Sequence, residues 1–205
     1  MIAATSALAY FFWYKPKFKK NPAARDFYFK KADENNTTVL RLKQKALLAR
    51  DFAKDNSYNT TRCFLVDMRV TAGRKRFFVY NLQKDSIESA GLVAHGTGSD
   101  KGGDELSFSN TPNSNATSIG KYRIGKPYYG KFGLAYKLYG LDATNNKAFD
   151  RFVVLHAHNC VPNDDVAPLP ICESWGCPTV APAFLTVLKK HIDDSGKPIL
   201  LWVYY

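Results

Sequence analysis

The chain has 205 residues and a mass of 23.1 kDa, the size of one domain or of one domain with a short extension. Hydrophobic residues make up 45% and charged residues 23%, ordinary globular usage that excludes disorder and a collagen-like repeat, while 13 Gly and 10 Pro argue against a coiled coil and four Cys are too few for a disulfide-dense miniprotein. Twenty-nine basic against 18 acidic residues leave a net charge of +11, which suits simple solubility or a polyanionic partner; no RNA-binding aromatic motif, helix-turn-helix or zinc-finger spacing accompanies it, so nucleic acid is not expected.

The N-terminus is apolar from Met1 to Tyr14 and is followed by the basic run Lys15 to Lys20. The apolar stretch is shorter than the ~20 residues of a membrane span and lacks the basic start of a secretory signal. It reads either as the remaining half of an export signal or anchor, the reading preferred here, or as a packed helix. Residues 21–37 are polar and read as a linker, so residues 1–37 form a signal- or anchor-like segment with its linker and residues 38–205 the folded domain. The first predicted helix runs from Thr38 to about Phe52, with Val39, Leu42, Ala46, Ala49 and Phe52 at helical spacing. Strand-like runs follow at Cys63–Met68, Arg76–Asn81, Ser89–His95, Lys121–Ile124, Leu134–Leu138 and Phe152–His156, separated by polar turns, which predicts a mainly antiparallel β domain. A helix over Ala183–Ile192 and a closing strand over Ile199–Tyr205 complete the series.

Several common chemistries are excluded by spacing. Gly96-Thr97-Gly98 fails the dinucleotide pattern by one residue, and Gly120-Lys121 lacks the upstream Gly and the following Ser or Thr of a P-loop. There is no G-x-S-x-G elbow. The remaining candidates lie between positions 150 and 180. One run delivers His156, His158 and Cys160, and a second delivers Cys172, Ser174, Gly176 and Cys177. A cysteine nucleophile works as a thiolate, a neighbouring imidazole can take its proton, and exposed backbone N–H groups can hold the oxyanion. Cys177 and His156 can meet by one chain reversal. Three bland alternatives stand beside this: Cys177 as a small buried hydrophobe with His156 in the core, a zinc site drawn from His156, His158, Cys160, Cys172 and Cys177, and a Cys160–Cys172 disulfide that leaves Cys177 free and Cys63 buried.

The segment Ser174-Trp175-Gly176-Cys177-Pro178, with Val154-Leu155-His156-Ala157 upstream, resembles the YkuD-type L,D-transpeptidases, in the branch where S-W-G-C-P replaces S-H-G-C. Further blocks resemble that branch in order: Val93 to Ser99, Phe108 to Ser114, Ser118 to Tyr122, Tyr128 to Gly133 and Leu138 to Leu141, so that the resemblance covers about residues 60–205. Pro178-Thr179 stand where the commoner pattern has an apolar residue and then Arg or Asn, and Ala157 stands where Gly is usual.

The resemblance implies a mainly β, sandwich- or barrel-like fold with a few peripheral helices. It also implies Cys177 as nucleophile, His156 as general base and then acid, Ser174 in support, and the amides of Gly176 and Cys177 as oxyanion donors. His158 is the less favoured base. His95, Tyr129 and Trp175 are candidate substrate-binding residues, with a core histidine the simpler reading for His95. The implied reaction is acyl transfer on peptidoglycan stem peptides giving 3→3 cross-links, with L,D-carboxypeptidase or hydrolase action as the variant in which water replaces the amine, and it requires no metal or organic cofactor. A non-enzymatic, basic wall-binding module is the alternative from another class. A monomer in the cell envelope, on the periplasmic side, with membrane contact through the N-terminal segment, completes the expectation.

Overall fold

A computed structural model describes residues 22–102 and 105–205 of the chain, the side chains of 22–34 excepted; the apolar and basic N-terminal runs lie outside the described residues. Helix α1 covers Pro22–Asp55. The linker expected over 21–37 is therefore helical from Pro22 onward. The reason lies in composition: after Pro22, which suits a first helical position, the stretch holds Ala, Lys, Arg and Glu and no Gly, so propensity favours helix where apolar periodicity gives no signal. No helix among the described residues is long and apolar enough to cross a membrane.

The strands are β1 (Arg62–Asp67), β2 (Phe77–Asn81), β3 (Ser86–Gly91), β4 (Val93–Ala94), β5 (Gly120–Gly130), β6 (Gly133–Gly140), β7 (Val154–Ala157), β8 (Thr179–Val180) and β9 (Leu200–Tyr204), with helix α2 (Pro182–Asp193) before the last. They form one nine-stranded sheet in the order β3-β2-β1-β9-β5-β6-β7-β8-β4. The pairs β1–β9 and β7–β8 are parallel and the others antiparallel. The fold is mainly β, as expected. The expected run 89–95 is divided between β3 and β4, which sit at opposite ends of the strand order.

Strand residues alternate between two faces, and the two faces have different fates. The inner face carries Phe64, Val66, Phe77, Val79, Tyr122, Leu138, Leu155, Leu201 and Val203, packed with Phe184, Leu185 and Leu188 of α2. The outer face of β1, β2 and β9 carries Cys63, Leu65, Phe78, Tyr80, Leu200 and Tyr204 against Leu42, Ala46, Ala49 and Ala53 of α1. Those four helix positions follow the i, i+4, i+7 spacing of one helical stripe. The helix thus serves the outer face of β1, β2 and β9. The outer face of β5 to β8 carries Arg123, Lys137 and Tyr139, then Val154, His156 and Thr179, as the pairings Arg123 with Tyr139, Lys137 with Val154, and His156 with Thr179 require.

Candidate active site

His156 is placed by β7, where Leu155 points inward and Val154 and His156 outward. Its side chain is nearly buried, with 4% of the residue exposed. Nδ1 lies 3.0 Å from the Ala157 carbonyl, which can only accept, so the ring proton sits on Nδ1 and Nε2 presents a lone pair. The Thr179 hydroxyl, 2.9 Å away, donates to that lone pair. The Phe132 ring stacks on the imidazole at a centroid distance of 4.4 Å. Burial lowers the pKa of His156, a shift that the Ala157 carbonyl opposes and His158 reinforces. The imidazole is therefore neutral at neutral pH and able to act as a base.

The turn before β8 is built around Ser174. Its N–H donates to the His95 carbonyl at 2.8 Å, and its carbonyl accepts from Thr97 N at 2.8 Å. Its hydroxyl donates to the Cys177 carbonyl at 2.7 Å and accepts from Gly176 N at 3.1 Å. Gly176 has φ +106°, and a Cβ there would lie 2.8 Å from the Ala116 carbonyl, so both conformation and space require glycine. Cys177 follows. Its Sγ accepts from Val154 N at 3.4 Å and faces the Phe152 carbonyl at 3.8 Å. Burial pushes the thiol pKa up, while the Val154 N–H and the Arg151 guanidinium pull it down.

The structure places the predicted base on β7 and the predicted nucleophile on the turn that leads into β8, with Cys177 two residues before Thr179, the partner of His156. It does not join them by a hydrogen bond. The sulfur is engaged by the β7 backbone and the imidazole by Thr179. The Gly176 amide expected in the oxyanion hole is taken by Ser174, while the Cys177 N–H, like that of Trp175, has no partner among the described hydrogen bonds of the turn. Trp175 and Tyr129 are 73% and 81% exposed. Lys131, at the β5–β6 tip, lies between Trp175 and Phe132, its Nζ within 6 Å of both rings (5.9 and 5.7 Å).

His95 is buried beside the turn. Arg76 Nη2 donates to its Nδ1 at 2.9 Å, so Nε2 carries the ring proton and faces Glu173 at 3.4 Å. His95, Asp100 and Glu173 cluster within 4.8 Å, but a protonated Nε2 offers no lone pair to a cation. Cys160 and Cys172 form a disulfide, which removes two of the five ligands from the zinc alternative, and Cys63 is buried. His158 is exposed and accepts from Cys160 N.

Residues 32–203 match the model of the L,D-transpeptidase catalytic domain family. The chain belongs to that family. Among solved structures it is similar to the helical cell shape determining protein Pgp2 from Campylobacter jejuni (12% identity, TM-score 0.44, 70% of this chain and 47% of that one). It is also similar to L,D-transpeptidases from Mycobacterium smegmatis (11%, TM-score 0.41, 71% and 59%) and Xylanimonas cellulosilytica (15%, TM-score 0.39, 75% and 68%). The chain spans about half the length of the first of these. No curated protein matches it.

Three residues of this L,D-transpeptidase domain contact the site without having been named as site residues from the sequence, Thr179 having been noted only as a departure from the family pattern: Thr179, Phe132 and Arg151. Thr179 lies two residues beyond Cys177, and only the register of β7 with β8 shows it against His156. Phe132 sits at a hairpin tip, and only tertiary structure shows its ring on His156. Arg151 holds four acceptors, the Ser109 and Ala116 carbonyls at 2.8 and 2.7 Å and the Ser118 and Ser114 hydroxyls at 3.2 Å each. It thereby ties the 109–118 loop to the segment that leads into β7. All four acceptors are neutral, and among the described residues no carboxylate pairs with it. Its charge is available to a Cys177 thiolate.

Proposed function

We propose that this L,D-transpeptidase domain performs cysteine-dependent acyl transfer on peptidoglycan stem peptides, giving 3→3 cross-links. The observation that carries the reading is Cys177 on a glycine-dependent turn, its sulfur against β7, the strand that presents a neutral His156. In the first step the Cys177 proton passes to His156 Nε2 and the thiolate attacks the carbonyl of the L-configured residue of a tetrapeptide stem. Collapse of the tetrahedral intermediate breaks the C–N bond, and His156 returns the proton to the departing D-Ala amine. An amine from a neighbouring stem then attacks the thioester, loses its proton to His156, and releases Cys177.

Thr179 controls access to the base. Its hydroxyl also lies 3.4 Å from the Cys177 carbonyl, so turning toward that oxygen frees the Nε2 lone pair. Catalytic hydrogen bonds commonly tighten only once substrate is bound. The developing oxyanion would take the free Cys177 N–H. The reading requires an envelope location, with the N-terminal segment as export signal or anchor.

The test is D-Ala release and dimer formation from a purified stem tetrapeptide, followed by mass spectrometry. The wild type is expected to produce both, and Cys177→Ala and His156→Gln neither, with folding retained by circular dichroism. Release of D-Ala without dimer would assign hydrolysis instead. Equal turnover by Cys177→Ala would overturn the nucleophile, and no turnover by a folded wild type would leave a wall-binding module as the better reading.

A further inference from the structure

The outer sheet face left bare by α1 is not a neutral surface. Arg123 of β5 and Tyr139 of β6 are register partners, and the Arg123 guanidinium carbon lies 4.2 Å from the Tyr139 ring centroid. The Tyr139 ring stacks on Phe149 at 5.0 Å with an interplanar angle of 11°. Lys137 Nζ then sits 5.4 Å from the Phe149 centroid and 5.8 Å from that of Tyr128. Two cations and three rings share one strip, and the strip is open: Arg123 and Lys137 are exposed and Phe149 is 44% exposed. Among the described residues neither cation is paired with a carboxylate, whereas Lys121, nearer the helix, is neutralised by Asp142 at 2.6 Å.

The strip ends at the site. Lys137 is the register partner of Val154, whose N–H donates to Cys177 Sγ. Adjacent strands are ~4.8 Å apart, so the platform lies one strand from the strand that holds the nucleophile's sulfur.

We propose that the strip formed by Arg123, Tyr139, Phe149, Lys137 and Tyr128 is a docking platform for the carboxylate-bearing glycan–peptide polymer, which it holds while one stem peptide enters the Cys177 site. The chemistry on both sides matches. Two unpaired cations suit a polymer that carries carboxylates at every stem, and flat rings suit the C–H faces of sugars. The stacking also holds the cations in place before binding, which reduces the ordering cost of association. The inference rests on the acyl-transfer reading for its substrate, but it concerns the polymer rather than the reacting peptide.

Two readouts separate it from that reading: co-sedimentation with purified sacculi over a range of salt, in a Cys177→Ala background, and turnover of a soluble stem tetrapeptide by the otherwise native full chain. Charge reversal at Arg123→Glu with Lys137→Glu is expected to weaken sacculus binding on the order of tenfold and to flatten its salt dependence. Tetrapeptide turnover should stay within about twofold, because neither residue touches the reacting groups. Phe149→Ala should weaken binding and leave the salt dependence unchanged. If the charge reversal fails to fold, Arg123→Gln with Lys137→Gln gives the same reading with a smaller loss. Unchanged sacculus binding in the folded charge variants would overturn the platform even if tetrapeptide turnover is robust. So would a chain whose self-association, and not sacculus binding, is lost in these variants, since that assigns the face to a second copy. Failure of the wild type to turn over tetrapeptide strikes the acyl-transfer reading alone and leaves the binding result to decide the platform.

Discussion

The two halves of the outer sheet face are made from the same strand alternation and are used in opposite ways. Over β1, β2 and β9 the outward residues are Cys63, Leu65, Phe78, Tyr80, Leu200 and Tyr204, and α1 seals them with Leu42 and three alanines whose small side chains let helix and sheet approach closely. Over β5 to β8 the outward residues include Arg123, Lys137, Tyr139, His156 and Thr179, and none of these belongs to the apolar cluster that α1 forms. The free thiols record the difference. Cys63, in the sealed half, has its pKa pushed above the usual thiol range by burial alone. Cys177 is also pushed up by burial, but a backbone N–H and an unpaired guanidinium oppose the shift. Burial alone thus acts on the thiol of the sealed half, whereas a backbone N–H and a guanidinium also act on the one beside β7.

The sharpest way to break this comparison is to substitute one residue in each half. Cys177→Ala should reduce tetrapeptide turnover to background and change the melting temperature by no more than a few degrees, since only one sulfur is lost. Leu42→Ala should do the reverse, costing about 2–5 kcal/mol of stability in a denaturant titration while the folded fraction keeps its specific activity. A Leu42 variant that loses chemistry without losing stability would mean that the halves are not separable.

A smaller effect tests the electrostatics. Arg151 lowers the Cys177 pKa, so Arg151→Met should move the midpoint of Cys177 alkylation to higher pH, and Arg151→Lys should restore part of the shift. An unchanged midpoint would show that Arg151 serves only to hold the 109–118 loop. The acid side of the activity profile should lie below the ordinary imidazole value of about 6.5, because burial lowers the His156 pKa and turnover falls as that base is protonated.

The smallest effect is on stability. Burial, and after it the neighbouring Arg76, holds His95 at a pKa of about 4, below its unfolded value. The unfolded chain then takes up the proton first as pH falls. The contribution of His95 is complete above about pH 6.5 and is lost progressively toward pH 4. Thermal melts across that window should show the decline, and His95→Gln should flatten it.

Much of this was legible in the sequence, for reasons that differ by element. β1, β2, β7 and α2 were found because their apolar runs are short and bounded by turn residues. The N-terminal half of α1 was not, because a helix without a strong apolar stripe looks like a linker when periodicity is the guide. Cys177, His156, Ser174 and Gly176 are close in the chain and carry a dense motif, so their assembly followed from one reversal. The hydrogen bonds they make did not follow. The Gly176 amide turns to Ser174, two residues back in the same turn, and Nε2 to Thr179, a partner that exists only once β7 and β8 are aligned. The Cys160–Cys172 bridge stood among the alternatives on chemistry, and the fold selects it by bringing the two chain segments together.

Intact-mass spectrometry after mixing the protein with a carbapenem, followed by peptide mapping, tests the central claim most directly, because the strained ring acylates an activated thiol and reports its position. One adduct per chain is expected, on Cys177, absent in Cys177→Ala and markedly slowed in His156→Gln. No adduct on the folded wild type, or one formed equally fast without the imidazole, would contradict a thiol that His156 serves.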